Sequence, residues 1–137
     1  MTPRPPSEEC IQGEIVVAMS RTFDARTVHV ANGGKRSAKE GAKLRSMGVW
    51  AGHPDLIVYG DDDRSFLIEV KDQILARERE VPTDQRFDTL DPKQKDAVLE
   101  LRARGKTVHV IDNVEDALAA GRAFGLAPKT IPIRASA

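Results

Sequence analysis

The sequence predicts a mixed α/β (α+β) domain in which a small mixed sheet lies between helices. One observation behind this prediction is the order of the apolar patterns: helix, strand, short helix, strand, strand, helix, strand, helix. Another is the length of 137 residues, which is enough for one domain with a hydrophobic core and too short for two. We therefore expect a single domain over residues 1–137, with its core over about 8–124 and a loose tail over about 127–137.

The first helix and the first strand are predicted from capping and periodicity. Ser7 is a good N-cap, and the acidic residues Glu8 and Glu9 suit the positive end of a helix dipole. An apolar stripe at helical spacing follows, formed by Ile11, Ile15, Ala18 and Met19. The β-like run RTVHVA, residues 26–31, then leads into a turn.

This turn and the short helix after it offer a basic surface. The turn residues are Asn32, Gly33, Gly34, Lys35 and Arg36. Backbone amides before a helix can receive a phosphate, so the turn is a candidate DNA contact; an ordinary loop with exposed cations is the alternative. The helix is expected over about 37–46, where Ser37 and Glu40 resemble a capping box. It carries Lys39 and Lys43 four residues apart on one side.

Two strands joined by an acidic turn, in GHPDLIVYGDDDRSFLIEVKD, hold the charged residues of greatest interest. If the strands pair as a hairpin, Asp55 at the start of the first lies close to Glu69 and Lys71 at the end of the second. Two carboxylates at a sheet edge suit Mg²⁺ or Mn²⁺, and a lysine beside them can hold an attacking water or stabilise charge on a phosphate. That combination favours hydrolysis of a phosphodiester. The alternative is a turn-capping aspartate and an ion pair on a solvated strand.

The rest of the chain predicts a helix, a strand and a final helix after a long connection. The connection, residues 73–90, has a length typical of functional or mobile loops. Asp91 is a good N-cap for the next helix, and Gln94 is placed to close a capping box. KTVHVI predicts a strand, and Asn113 is a suitable cap for the last helix.

Pro54-Asp55 followed by Glu69-Val70-Lys71 resembles the signature of the PD-(D/E)xK nucleases. Four segments resemble, in order, those of one branch, the VRR-NUC domain in the small stand-alone form common in phages: NGGKR, AKLRSMGVWAGHPDLIV, FLIEVK and LDPKQKDAVLELRARGKTVHVIDNVEDAL. The resemblance covers most of residues 8–120. It implies a restriction-endonuclease-like core and metal-dependent endonuclease action on DNA, with some members favouring branched or flapped structures.

The resemblance also implies roles for individual residues. Asp55 and Glu69 correspond to the metal-binding pair of the family, and Lys71 to its catalytic lysine. The segment EECIQ matches a glutamate of the first helix if Glu8 is that residue, with Glu9 as the rival. Gln94 matches a glutamine near the family's active site, which leaves that role and the capping box both open. Lys95 can contact the DNA backbone or be merely solvated.

Three features depart from the family pattern. His53 stands before Pro-Asp, where a small or apolar residue is more usual, and it can either touch substrate or cap a loop. The 73–90 stretch is longer than the minimal connection and is a candidate gating loop. Trp50 is either a core anchor or a base-stacking side chain.

Composition sets limits on partners and location. The formal net charge is zero, so the overall electrostatic field of the protein does not favour binding to nucleic acid. Cys10 is the only cysteine, so no intramolecular disulfide forms. No signal-peptide core and no membrane-length apolar run is present, and we expect a cytoplasmic protein, in the host cell if phage-encoded.

Because the domain is small and related nucleases often pair, a homodimer is expected. The second hypothesis is an inactive nuclease-like module that binds branched DNA or a protein partner.

Overall fold

The computed structural model describes residues 6–31, 37–73 and 83–130. The elements follow the predicted order, with one addition, a 3₁₀ helix inside the 73–90 connection. In chain order they are α1 (Glu8–Thr22), β1 (Arg26–His29), α2 (Ala38–Ser46), β2 (Leu56–Tyr59), β3 (Ser65–Val70), the 3₁₀ helix (Thr83–Thr89), α3 (Pro92–Ala103), β4 (Val108–Ile111) and α4 (Val114–Phe124). The mixed α/β prediction is therefore confirmed.

The four strands form one mixed sheet in the order β1-β2-β3-β4. The first three strands are antiparallel neighbours, and β4 runs parallel to β3. A parallel neighbour requires a crossover, and the segment that contains the 3₁₀ helix and α3 supplies it. The predicted hairpin forms, with Leu56 opposite Ile68 and Tyr59 opposite Ser65. This register, continued by one residue pair, places Asp55 opposite Glu69.

One face of the sheet packs against α1 and α4. The α1 stripe contributes Ile11, Ile15 and Met19, all buried, whereas Ala18 is only half-buried. These side chains join a cluster with the sheet residues Leu56, Val58, Phe66, Ile68, Val70 and Ile111. The two helices approach closely at Gly121, where an added Cβ would lie 2.5 Å from the Phe23 ring. This contact holds the end of α1 against α4.

The opposite face of the sheet packs against α3. Val98 of α3 lies in a cluster with Leu67, Leu90 and Val108. Because both faces are covered, β3 is buried from Phe66 to Val70, and this buried stretch includes the charged residue Glu69. A carboxylate in such a position requires compensation from its neighbours.

The predicted helix caps are present. Ser7, Ser37, Asp91 and Asn113 each accept a hydrogen bond from a backbone N–H in the first turn of the following helix. Beyond α4, Asp24 N donates to Ala127 O at 2.8 Å and Lys129 N donates to Thr22 O at 2.9 Å. The chain thus stays attached as far as Lys129, past the point where the sequence suggested a loose tail. In the described part of the chain, no helix combines the length and the apolar content that a membrane crossing requires.

Candidate metal centre

Three carboxylates from three elements converge at one end of the sheet. Asp55 precedes β2, Glu69 lies on β3, and Glu8 begins α1. Each offers an oxygen atom, and these oxygens all lie within 4.8 Å of one another. Glu9, the alternative to Glu8, is exposed and lies outside this group. We call Glu8, Asp55 and Glu69 the carboxylate cluster.

Asp55 is held in place by backbone contacts on both neighbouring strands. Its Oδ2 accepts a hydrogen bond from Val70 N at 2.9 Å. Its carbonyl oxygen accepts one from Val30 N at 2.8 Å and lies 3.2 Å from His29 Nδ1. These contacts fix the carboxylate beside the end of β3, as the hairpin register requires.

Glu69 is the most buried member, with 1% of its surface exposed. Its two oxygens have different surroundings. Oε1 accepts a hydrogen bond from Gln94 Nε2 at 2.9 Å. Oε2 is buried with no hydrogen-bond partner among the described residues. An ionised carboxylate oxygen buried in this way is costly, so a proton or a cation is needed beside it.

Burial and mutual repulsion shift the acid–base behaviour of the cluster. Burial, reinforced by the charges of Asp55 and Glu8, raises the pKa of Glu69 from 4.5 to about 9. Burial likewise raises the pKa of Asp55 and of Glu8. At neutral pH and without a cation, Glu69 therefore holds a proton, which it shares with the Asp55 carboxylate.

Lys71 acts electrostatically on the whole cluster. Its positive charge lowers the pKa of Glu8, Asp55 and Glu69 alike, in opposition to the burial that raises them. Its backbone N–H donates to Ile111 O at 2.9 Å, which extends the pairing of β3 with β4. Lys71, a half-buried residue, is thus placed near enough to the carboxylates for its charge to act on all three.

Gln94 combines the two roles that the sequence left open. Its Oε1 accepts a hydrogen bond from Asp91 N at 3.2 Å, and its own N–H donates to Asp91 Oδ1 at 2.9 Å, which completes the capping box. Because the cap holds the amide oxygen, the amide nitrogen is directed at Glu69. The start of α3 therefore orients the most buried carboxylate.

The turn before Asp55 is pressed against the start of α3. Gly52 has a φ of 89°, and a Cβ at this position would lie 2.5 Å from Lys93 O. Only glycine satisfies both the positive φ and the close approach. This contact links the chain leading to Asp55 with the helix that carries Gln94.

One buried interaction near this edge was not predicted from sequence. Arg86 Nε lies 2.7 Å from Asp112 Oδ2, and both side chains are largely buried. Arg86 belongs to the 3₁₀ helix and Asp112 follows β4, so the pair ties the crossover segment to the sheet end that carries Lys71. The sequence holds no signal for this pair, because the two residues meet only after the crossover has formed.

The predicted DNA-contact residues are only partly described. Lys39 and Lys43 are exposed on α2, a helix with no buried residue, and Lys95 is half-buried on α3. The turn residues lie outside the described residues: Asn32, Gly33, Gly34, Lys35 and Arg36. Their contribution to binding stays a prediction.

The donor set of the cluster fits a hard divalent ion. Carboxylate oxygens are the ligands that Mg²⁺ and Mn²⁺ prefer, and Glu69, whose Oε2 has no hydrogen-bond partner among the described residues, belongs to the group. Among the described residues, the cluster contains no histidine or cysteine that would favour a softer metal. A divalent cation bound here would take the place of the proton on Glu69.

Comparison with known proteins extends the description of the fold. No family model matches the chain, and no curated protein matches it. Among solved structures, it is similar to a VRR_NUC domain protein, with a TM-score of 0.62 and 21% sequence identity over 90% of this chain and 91% of the other. The chain therefore has the fold of a VRR_NUC domain protein.

Proposed function

We propose that the protein is a Mg²⁺- or Mn²⁺-dependent deoxyribonuclease that hydrolyses phosphodiester bonds internally. The observation that carries the proposal is the carboxylate cluster, whose oxygens lie within 4.8 Å of one another beside Lys71. The fold shared with a VRR_NUC domain protein supports the same conclusion. Three neighbouring carboxylates whose pKa values are all raised by burial are typical of a functional site, which favours this proposal over a purely structural role.

Glu8, Asp55 and Glu69 would hold the metal ion, which when bound polarises a phosphoryl oxygen and lowers the pKa of a coordinated water. The protein itself supplies the orientation of these ligands. Val70 N–H restrains Asp55, and the Gln94 amide restrains Glu69 while leaving its Oε2 available. Gln94 thereby acts as a positioning residue for the metal site.

We assign Lys71 a role in stabilising the negative charge that develops during cleavage or in holding the attacking water. Water attacks phosphorus and releases a proton, the bond from phosphorus to the 3′ oxygen breaks, and the 3′ oxygen takes up a proton; negative charge develops meanwhile on the phosphoryl oxygens and on the departing oxygen. A fixed ammonium group beside this point stabilises that charge or holds the attacking water. The resemblance to PD-(D/E)xK nucleases implies products with a 5′-phosphate and a 3′-hydroxyl.

The proposed substrate path follows the basic residues that the sequence predicts as DNA contacts. Lys39 and Lys43 of α2 are proposed to contact DNA phosphates, together with Lys95 and the turn of residues 32–36. Phosphate contacts of this kind orient DNA without reading its sequence, which suits selection by structure, such as a flap or a branch. With zero net charge, the protein should show a shallower salt dependence of binding than a strongly basic protein.

A metal-dependent cleavage assay tests the proposal. Labelled flap, four-way and single-stranded DNA are incubated with Mg²⁺, Mn²⁺ or EDTA, using wild type, Asp55→Asn, Glu69→Gln and, as a matched control, Glu9→Gln. We expect cleavage by wild type and Glu9→Gln only when metal is present, and none by the other two variants. DNA binding without cleavage of any substrate by the wild type would favour the inactive binding module instead.

We further infer that the protein acts as a homodimer, because one small domain covers little of a branched substrate. Sedimentation velocity at micromolar concentration is expected to show a dimer, and a monomer at that concentration would contradict this.

A further inference from the structure

A cavity of about 550 Å³ lies at the end of the sheet away from the carboxylate cluster. It opens between α1, the beginning of β1, the end of β2 and the segment that follows α4. Tyr59, which lines it, is the last residue of β2, whereas Asp55 directly precedes the first. About 13 Å of strand therefore separates the cavity from the cluster. A cavity of this size is typical of sites for small organic molecules.

Two cationic residues on the wall of the cavity are placed by backbone pairing. Arg26 is the first residue of β1 and lies opposite Tyr59 in the sheet. Lys129 follows α4, and its backbone N–H donates to Thr22 O, at the end of α1, at 2.9 Å. Two separate segments thus bring a guanidinium group and an ammonium group to the same cavity.

The charges of these two residues are not neutralised by neighbouring side chains. Arg26 and Lys129 are exposed, and neither side chain forms an ion pair or a hydrogen bond in the part of the chain that the structure describes. Among the described residues that line the cavity, Asp24 is the one acid, and it is also exposed. Two cations against one acid favour an anionic ligand that accepts hydrogen bonds from both cations.

A buried hydroxyl group on the same wall lacks a hydrogen bond. Thr27 lies opposite Val58 in the register of β1 and β2, so both side chains are on the face of the sheet that packs against α1. The Oγ1 of Thr27 is buried and has no hydrogen-bond partner among the described residues, which costs free energy. Because Thr27 lines the cavity, rotation about its χ1 angle turns this hydroxyl toward a ligand there.

The rest of the lining suits an organic group. Tyr59 is 47% exposed, and its ring contacts no other ring and no cation in the described part of the chain. Val16 and Ala25 add half-buried aliphatic surface. Aromatic and aliphatic surface in a cavity with two cations matches a molecule that has an apolar part and an anionic part. An inorganic anion alone would leave that surface uncovered.

We propose that this cavity, which we call the far cavity, binds a small organic phosphomonoester, with its phosphate between Arg26 and Lys129. The Thr27 hydroxyl donates to a phosphate oxygen, and Tyr59 packs against the organic part. A phosphomonoester fits better than a carboxylate, because its three terminal oxygens and its nearly double charge engage both cations and the hydroxyl together. The far cavity is separate from the proposed nuclease centre, so the inference does not depend on that function.

Isothermal titration calorimetry of the full chain in EDTA tests the proposal, with AMP, adenosine and inorganic phosphate as probes. EDTA removes divalent ions that would attract phosphate to the carboxylate cluster. We expect AMP to bind more tightly than inorganic phosphate, because its organic part also makes contacts. Adenosine lacks the phosphate and should show no binding. Absence of AMP binding, or adenosine binding as tightly as AMP, would overturn the proposal.

Substitution of the two cations tests where AMP binds. Arg26→Gln and Lys129→Gln should each weaken AMP binding about 10- to 150-fold, the range for one hydrogen bond to a charged group. Lys106→Gln is the matched control, because Lys106 is an exposed lysine that does not line the cavity, and it should bind AMP as the wild type does. AMP affinity that is unchanged in both cavity variants would contradict the site.

Thr27→Val separates a ligand contact from a structural role of the hydroxyl. Valine nearly keeps the shape of threonine, and the substitution removes an oxygen that has no partner among the described residues. The melting temperature without AMP should therefore be unchanged or higher, while AMP binding weakens about 10-fold or more. Thr27→Ser keeps the hydroxyl and should retain the affinity. A lower melting temperature, or an unchanged AMP affinity, in Thr27→Val would refute the assignment of this hydroxyl to a ligand.

Further controls distinguish the far cavity from the nuclease centre and from a DNA surface. Glu69→Gln should bind AMP as the wild type does, and a loss of binding would place AMP at the carboxylate cluster instead. If AMP did not bind but Arg26→Gln and Lys129→Gln weakened binding of duplex DNA, the cavity would belong to a DNA surface and the proposal would be wrong. Metal-dependent cleavage without AMP binding would refute only the far cavity, whereas AMP binding without cleavage would refute only the nuclease function.

Discussion

The substitution Glu69→Gln should make the metal-free protein more stable at alkaline pH while abolishing metal binding. In the folded protein, burial and the nearby carboxylates raise the pKa of Glu69 from 4.5 to about 9. Its contribution to stability is therefore complete below pH 4.5 and is lost as the pH rises through 9, because the unfolded chain releases the proton first. The loss is about 1.4 kcal/mol for each pH unit within this window.

Between pH 6 and pH 8 this slope amounts to about 3 kcal/mol for the wild type without metal. A glutamine keeps the contacts of the protonated acid, since its oxygen can still accept from Gln94 and its amide can donate to Asp55. The variant carries no titrating group at this position, so the stability term that Glu69 contributes becomes independent of pH. The arrangement thus predicts a stabilising variant that is inactive.

Urea unfolding in EDTA at pH 6 and pH 8 measures both free energies of unfolding. We expect the stability of the wild type to fall by about 3 kcal/mol more than that of Glu69→Gln over this interval. Added Mg²⁺ or Mn²⁺ should reduce the fall in the wild type only. The exposed Glu9→Gln variant is the control and should follow the wild type. Parallel pH profiles for wild type and Glu69→Gln would refute the assignment of the buried proton to Glu69.

Three further predictions concern the surroundings of the site. Lys71→Met should lower the cleavage rate about 100- to 1,000-fold while calorimetry shows metal still bound; loss of metal binding would contradict its assignment to the phosphate. Gly52→Ala should lower the melting temperature more than Gly105→Ala. Both glycines have a positive φ, but only at Gly52 would the added Cβ lie 2.5 Å from Lys93 O, and equal losses would contradict this contact. Arg86→Leu should cost about 3–5 kcal/mol in urea unfolding, since Asp112 loses its buried partner; a loss under about 1 kcal/mol would contradict the importance of that pair.

The hairpin was the part of the site that sequence predicted most directly. Side chains alternate along strands and a short turn restricts the register, so Asp55 and Glu69 could be placed together without further information. Placing Glu8 in the site required the tertiary structure, because its position depends on how α1 packs on the sheet. Capping preferences could not distinguish Glu8 from Glu9, since both acids suit the first turn of a helix. They could not decide between the two roles of Gln94 either, since its side chain both closes the capping box and contacts Glu69.

Features that depend on long-range packing could not be predicted from the periodicity of the sequence. The 3₁₀ helix over Thr83–Thr89 is polar and lacks a regular apolar pattern, so the segment was predicted only as a connection. Trp50 was left between core and base-stacking roles because burial is a property of the folded chain. Its half-buried place in a groove that His53 and Ile57 also line became visible only in three dimensions.

The most direct test of the central claim is anomalous diffraction from crystals soaked in Mn²⁺. The claim is that Glu8, Asp55 and Glu69 share one divalent ion. We predict an anomalous peak in contact with oxygens of all three residues, and its absence from crystals of Glu69→Gln soaked in the same way. Manganese bound elsewhere on the protein, with the cluster empty in the wild type, would contradict the proposed metal centre.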